Sequence, residues 1–283
     1  MLRRLALLLV PLALVAAACS SDDETSESSA SDGSIPSAGG PGVVGDAAPV
    51  AFPGEDWTQV EPADAGLDGE PLDELAARIA ENSQCLTVVK DGQVVYDQAW
   101  TGDTETDSEA FSATKSITST LVGIAAADGL LDIDDPVSEY VPEWVGTESE
   151  EVTIRNLLSN DSGRYYDFAT DYSEMAVGAA DKTAFAIALD QQHPVGEHWE
   201  YNNSAIQVLE QVMEVATGQD MAEFAEERLF EPIGMTSEIR HDRAGNTLAF
   251  MGAQASCHDL ARFGHLFLNE GEWDGEQIVP AEW

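Results

Sequence analysis

The chain has 283 residues, of which 53 are Asp or Glu and only 12 are Lys or Arg, for a formal net charge of −41. Such a surface repels nucleic acid and anionic membrane faces, which excludes polyanionic partners from expectation. The charge identifies no substrate, since a solvated acidic surface suited to salty surroundings accounts for it as well.

Arg3 and Arg4 open the chain, and residues 5–15 form an apolar run too short for a stable bilayer-spanning helix. Ala16-Ala17-Ala18-Cys19 follows. This order predicts a lipoprotein signal over 1–18, with Cys19 becoming the lipidated N-terminus; plain secretion after an Ala-x-Ala site is the alternative. A lipid at Cys19 would anchor the protein to the outer face of a membrane. Residues 19–52 are mostly Ser, Asp, Glu, Gly, Pro and Ala, with no aromatic before Phe52. They bury too little apolar surface to order themselves and are expected to be a disordered tether. The folded part then begins near residue 53 and is long enough for a substantial core.

Leu72, Leu75, Ala76 and Ile79 recur at helical spacing over 71–82, with Pro at the start. Two β-rich runs, 85–90 and 93–96, flank Asp91-Gly92 and predict a hairpin. A long, mostly apolar helix is expected over 112–128, ended by Gly129. Further helices are expected over 153–159, 183–190, 204–217, 221–230 and 257–269, and a strand could begin at Gln277. Strands at both ends with helices between predict an α/β (α+β) fold: an antiparallel sheet flanked by helices, with an inserted, mainly helical domain. The sheet domain is expected from 53–111 and 250–283, and the helical domain from 112–249.

Among only three lysines, Lys115 stands three residues after Ser112 at the head of an apolar run. Positions i and i+3 share a helix face, which would set the ammonium beside the hydroxyl. A serine hydroxyl becomes a competent nucleophile when a neighbour takes its proton, and a desolvated lysine can be that neighbour. The plainer account is a lysine whose stem snorkels along a helix. Of six tyrosines, only Tyr201 has Asn two residues on, at Asn203. A phenol beside the lysine is a second group able to accept the serine proton. Asn203 offers both a donor and an acceptor, for Lys115 or for a substrate amide. Alternatively Tyr201 is a core aromatic and Asn203 a helix cap.

Cys85 and Cys257 are an even pair in an exported chain, compatible with a disulfide, with two buried free thiols as the alternative. His193, Glu197 and His198 lie in a Pro/Gly loop rather than on a metal-binding helix, so no metal is expected. His258 and His265, seven apart on one helix, are expected at the surface or in the core. No Gly-x-Ser-x-Gly elbow is present.

Taken together, these pieces resemble the serine β-lactamase and penicillin-binding-protein superfamily. The branch is that of class C β-lactamases, related esterases and aminohexanoate-dimer hydrolases. Phe111-Ser112-Ala113-Thr114-Lys115-Ser116 is similar to the nucleophile motif and Tyr201-Asn202-Asn203-Ser204 to the tyrosine motif. The segments 128–137, 153–163, 231–235 and 259–264 follow in the order found in that superfamily. The resemblance implies that Ser112 attacks a carbonyl while Lys115 and Tyr201 share the proton traffic. It further implies that Asn203 contacts substrate, and that water releases an acyl-enzyme whose oxyanion is held partly by the Ser112 N–H. No cofactor is implied, and the partner is a small-molecule amide, ester or peptide. The third motif of the family, Lys-Thr-Gly or His-x-Gly on a late strand, has no counterpart before Trp283, so the chain is expected to be C-terminally truncated. A D-alanyl-D-alanine carboxypeptidase or β-lactamase, and a non-catalytic penicillin or wall-fragment binder, are the rival functions.

Overall fold

The computed structural model describes residues 50–283; the expected signal, Cys19 and the expected tether up to residue 49 lie outside the described residues. Helix α1 (Gly69–Ile79) starts where the Asp68 side chain accepts a hydrogen bond from Glu70 N, relieving one unpaired donor of the first turn. It begins two residues before the expected Pro71 start. Asp91 and Gly92 both adopt left-handed backbone, with φ 54° and 74°. That conformation is the one a two-residue hairpin turn demands, and it joins antiparallel strands β1 (Cys85–Lys90) and β2 (Gln93–Ala99).

A short strand, β3 (Ser108–Glu109), leads into a 3-10 turn over Phe111–Ala113 and then into α2 (Thr114–Ala127). The expected helix thus begins two residues late, with Ser112 in the tighter turn ahead of it. Helix α3 (Ile154–Leu158) is opened by a capping box between Thr153 and Asn156. Residues Ala169–Gly178 wind as a π-helix, a form the periodicity of the sequence does not reveal. Next come α4 (Lys182–Ala188), α5 (Asn203–Thr217), α6 (Met221–Ala225), a π-helical turn over Glu226–Phe230, and α7 (Glu231–Ile233). The chain ends with β4 (Glu238–Ile239), β5 (Ala253–Ala255), α8 (Cys257–Leu268) and a small hairpin of β6 (Glu272–Trp273) and β7 (Glu276–Gln277). The strand expected from Gln277 stops there, because Ile278 and Val279 turn their N–H groups onto Gly271 O.

Two apolar helices organise the core. Ile117, Leu121, Val122, Ile124 and Ala125 of α2 are buried with Ile206, Val208, Leu209, Val212 and Met213 of α5. At about 25 cal/mol per Å² this burial is the main stabilising contribution, and truncating Leu209 to Ala would cost roughly 2–5 kcal/mol. Strand β5 lies between β3 and β4, antiparallel to both. The strand just before Ser112 is therefore clamped to β5, the strand that follows the 247–252 loop. Cys85 on β1 and Cys257 at the start of α8 form a disulfide, with Cα atoms 6.4 Å apart, which ties the hairpin to the end of β5.

Candidate active site

The turn that carries Ser112 is held from its own backbone. Phe111 has φ 45°, an uncommon conformation for a bulky residue and one that persists only where the surroundings enforce it. Thr114 Oγ1 donates to Phe111 O at 2.6 Å and accepts from Ala253 N at 3.0 Å, so the turn is tied to β5. Ser112 is exposed at this turn. Its N–H belongs to the first turn of helix, where no intrahelical partner exists, and so remains available to an oxyanion.

Lys115 follows one turn later with its Nζ 3.1 Å from Ser112 Oγ. Its second acceptor is the carbonyl of Phe250 at 2.9 Å, and its charge lies 4.8 Å from the centre of the Tyr201 ring. Burial pushes the Lys115 ammonium down to about 8, with the carboxylate of Asp171 opposing the shift. A lysine at that value is neutral for much of the time near pH 8 and can accept a proton. The loop that supplies Phe250 O is fixed from two sides: Thr118 Oγ1 on α2 donates to Ala249 O at 2.7 Å, and Ala249 N donates to Gln207 Oε1 on α5 at 3.1 Å. Gly252 closes the loop where a Cβ would stand 2.8 Å from Leu248 O, too close for any side chain.

Tyr201 arrives from the other wall and donates its hydroxyl to Ser112 Oγ at 2.7 Å. It sits just ahead of α5, whose cap is Asn202, accepting from Ala205 N at 2.8 Å. The alternative that made Asn203 the cap is therefore off by one residue, and Asn203 is the first residue of the helix. Asn202 also donates to Arg164 O and Tyr165 O, which locks Tyr201 to the loop before the π-helix. Asn203 is buried, and its Nδ2 donates to Asp171 Oδ2 at 2.6 Å. Among the described residues it is Phe250 O, not Asn203, that shares Lys115 with Ser112. Asp171 and the Phe250 carbonyl are the two site groups that the sequence did not single out.

The remaining expected residues lie apart from this cluster. His193 and His198 pack ring against ring at 4.2 Å, and His198 approaches Glu200 at 3.8 Å. His258 and His265 are both buried. His258 Nε2 meets Asp97 at 3.0 Å beside the disulfide, and its Nδ1 contacts Glu105. His265 Nε2 holds Ala51 O at 3.0 Å.

The Beta-lactamase family model matches residues 73–276. The chain belongs to that family. Its similarity to named members is distant. It is 26% identical over 251 residues to the 6-aminohexanoate-dimer hydrolase of Paenarthrobacter ureafaciens, covering 78% of this chain and 63% of that one. It is 28% identical over 203 residues to the D-aminopeptidase of Brucella anthropi, covering 63% of this chain and 37% of that one. A solved Bacillus anthracis protein, provisionally named a 6-aminohexanoate-dimer hydrolase, superposes with a TM-score of 0.66 at 25% identity, over 75% of this chain and 60% of that one. The chain spans between about a third and two thirds of the length of these relatives. The β-lactamase fold therefore accounts for the described residues, with mixed helices and antiparallel sheets as expected, and Ser112, Lys115 and Tyr201 meet in one place on it.

Proposed function

We propose that this protein is an exported serine hydrolase that cleaves amide or ester bonds through an acyl-enzyme on Ser112. The observation that carries the reading is the convergence on one hydroxyl of Lys115 Nζ at 3.1 Å and Tyr201 OH at 2.7 Å. Neutral Lys115 takes the Ser112 proton directly or through Tyr201 as Oγ bonds to the substrate carbonyl carbon. The proton then passes to the departing amine or alcohol as the old bond breaks. Water attacks the acyl group, releases the carboxylic acid and returns the proton to Ser112. The Ser112 N–H stabilises the oxyanion in both steps.

Names among the relatives favour a linear amide over a β-lactam, since both a 6-aminohexanoate-dimer hydrolase and a D-aminopeptidase are similar to the chain. The surface favours apolar flanking groups on the substrate. Five aromatic side chains among the described residues are exposed, and four of them (Phe111, Phe168, Tyr172 and Trp199) stand within three residues of Ser112, Asp171 or Tyr201 in the chain. Export and lipid attachment at Cys19 rest on the order Arg3-Arg4, apolar run, Ala-Ala-Ala-Cys, and the Cys85–Cys257 disulfide suits an oxidising compartment.

The test is labelling of the full chain with a fluorophosphonate probe, followed by peptide mapping. Label on Ser112 that disappears in Ser112→Ala is the expected result. A folded protein that takes no label, or takes it elsewhere, would turn the assignment toward a non-catalytic binder.

A further inference from the structure

The head of α5 closes on a carboxylate that the reaction above does not use. Asp171 is 1% exposed. Its Oδ1 accepts Ser204 N and Ser204 Oγ, both at 2.8 Å, and its Oδ2 accepts Asn203 Nδ2 at 2.6 Å. An ionised carboxylate only accepts, whereas a carboxamide has one donating and one accepting end. Asp171 therefore leaves Asn203 a single orientation, with Nδ2 inward and Oδ1 turned the other way. Among the described residues no donor reaches that Oδ1.

The same carboxylate is tied to the segment that carries Tyr201, through Asn203 and Ser204 two and three residues on. Lys115 contacts the Ser112 hydroxyl on its own segment, the Tyr201 ring ahead of α5 and the Phe250 carbonyl on the 247–252 loop, and Asp171 on the π-helix acts on it through its field alone. Of these, Asp171 is the carboxylate whose field keeps the ammonium form from falling further under burial. Tyr166 feels it too: burial and then the charge of Asp171 raise its phenol. The π-helical winding of Ala169–Gly178 places this side chain under α5, in keeping with the frequent use of such turns at functional sites.

We propose that Asp171 is a positioning residue of the Ser112 site, locking the Asn203 carboxamide in one orientation and placing a fixed negative charge behind the Tyr201–Asn203 segment that flanks Lys115. It rests on the hydrolase reading. Its two consequences are separable from those of an ordinary buried cap. A cap stabilises the helix alone, whereas this carboxylate also raises, against the larger effect of burial, the pH at which Lys115 can accept a proton.

The experiment compares fluorophosphonate labelling rates of the full-length wild type and Asp171→Asn between pH 5.5 and 9.5. The new carboxamide in Asp171→Asn presents an N–H to Asn203, which flips or withdraws, so labelling should slow by roughly 10²-fold. Loss of the carboxylate should also move the acid-side limb of the rate profile to lower pH, by about one unit. The double variant Asp171→Asn with Asn203→Asp exchanges carboxylate and carboxamide while keeping all three hydrogen bonds. It should fold and return the limb toward the wild-type position. A folded Asp171→Asn with an unmoved limb, a double variant whose limb does not return, or loss of fold in both would each reduce Asp171 to a structural cap. Absence of Ser112 label in the wild type is a different result, and it strikes the hydrolase reading instead.

Discussion

The Phe250 carbonyl accepts a hydrogen bond from Lys115 Nζ at 2.9 Å, across 135 residues of chain. With Ser112 Oγ as the other acceptor, the amine is held between a fixed main-chain oxygen and the hydroxyl it would deprotonate. Because the main-chain oxygen is fixed and a neutral amine keeps two N–H donors, Phe250 O remains an acceptor for Lys115 after proton loss.

Proton acceptance by Lys115 predicts a rate that climbs with pH. Below about 8 the amine is mostly protonated, so labelling of Ser112 should rise about tenfold per pH unit and level off above that value. A flat profile from pH 6 to 9 would contradict the assignment of Lys115 as base.

The same depressed value carries a stability cost. In the unfolded chain Lys115 titrates near 10.5, and in the fold near 8, so the unfolded state holds the proton more tightly. The penalty is fully present below about 8 and fades as pH rises toward 10.5. Lys115→Met should therefore abolish labelling yet raise urea stability at pH 7, by up to about 3 kcal/mol. A less stable Met variant at that pH would show that the two hydrogen bonds outweigh the burial cost.

Glu210 gives the opposite slope from a site inside the core. It is buried on α5, accepts from Thr183 Oγ1 at 2.7 Å, and is pushed up to about 7, chiefly by burial and then by Glu214, Asp220 and Asp242. A carboxyl whose folded value lies above its unfolded value near 4.5 loses stability for the fold as pH rises from about 4.5 to 7. Glu210→Gln keeps an acceptor for Thr183 and should stabilise the protein at pH 8, by up to about 3 kcal/mol, and hardly at all at pH 4.5. Equal effects at both pH values would refute the titration.

Reduction should loosen the fold. The Cys85–Cys257 bond spans 172 residues, for which chain entropy alone gives about 5 kcal/mol as an upper figure. Melting with and without a phosphine reductant is the check, and an unchanged Tm with both thiols shown to be free would mean that the bond is dispensable.

Salt should act in the other direction. A net charge of −41 with 12 cationic residues leaves the folded state under self-repulsion, which ions screen within about 10 Å at 0.1 M. Tm is expected to rise as NaCl increases from 10 mM to 1 M. A falling Tm would point to ion pairs such as Arg155–Asp134 and Arg228–Asp128 as net stabilisers.

What the sequence disclosed here was whatever local spacing decides. Ser112 and Lys115 meet because three residues make one turn, and Asp91-Gly92 makes a hairpin because few other pairs tolerate that backbone. Tyr201 stood out through its partner two residues on. Asp171 did not, because one carboxylate among 53 acidic residues carries no mark until the fold buries it under α5. The choice between Asn202 and Asn203 as cap was equally opaque, since identical neighbours differ only in backbone angle. The Phe250 carbonyl has no sequence signature whatever, every residue having one.

That last property reaches into genetics. An acceptor made of main chain cannot be deleted by any codon at position 250, and a saturation library there would report only how well the core is packed. The phenotype of losing the Lys115 anchor should instead surface at Thr118 and Gln207, whose side chains hold the loop, and at Gly252, where a Cβ would collide with Leu248 O. A scan of all positions would thus map the lysine's partner as a ring of sensitive sites around a tolerant centre.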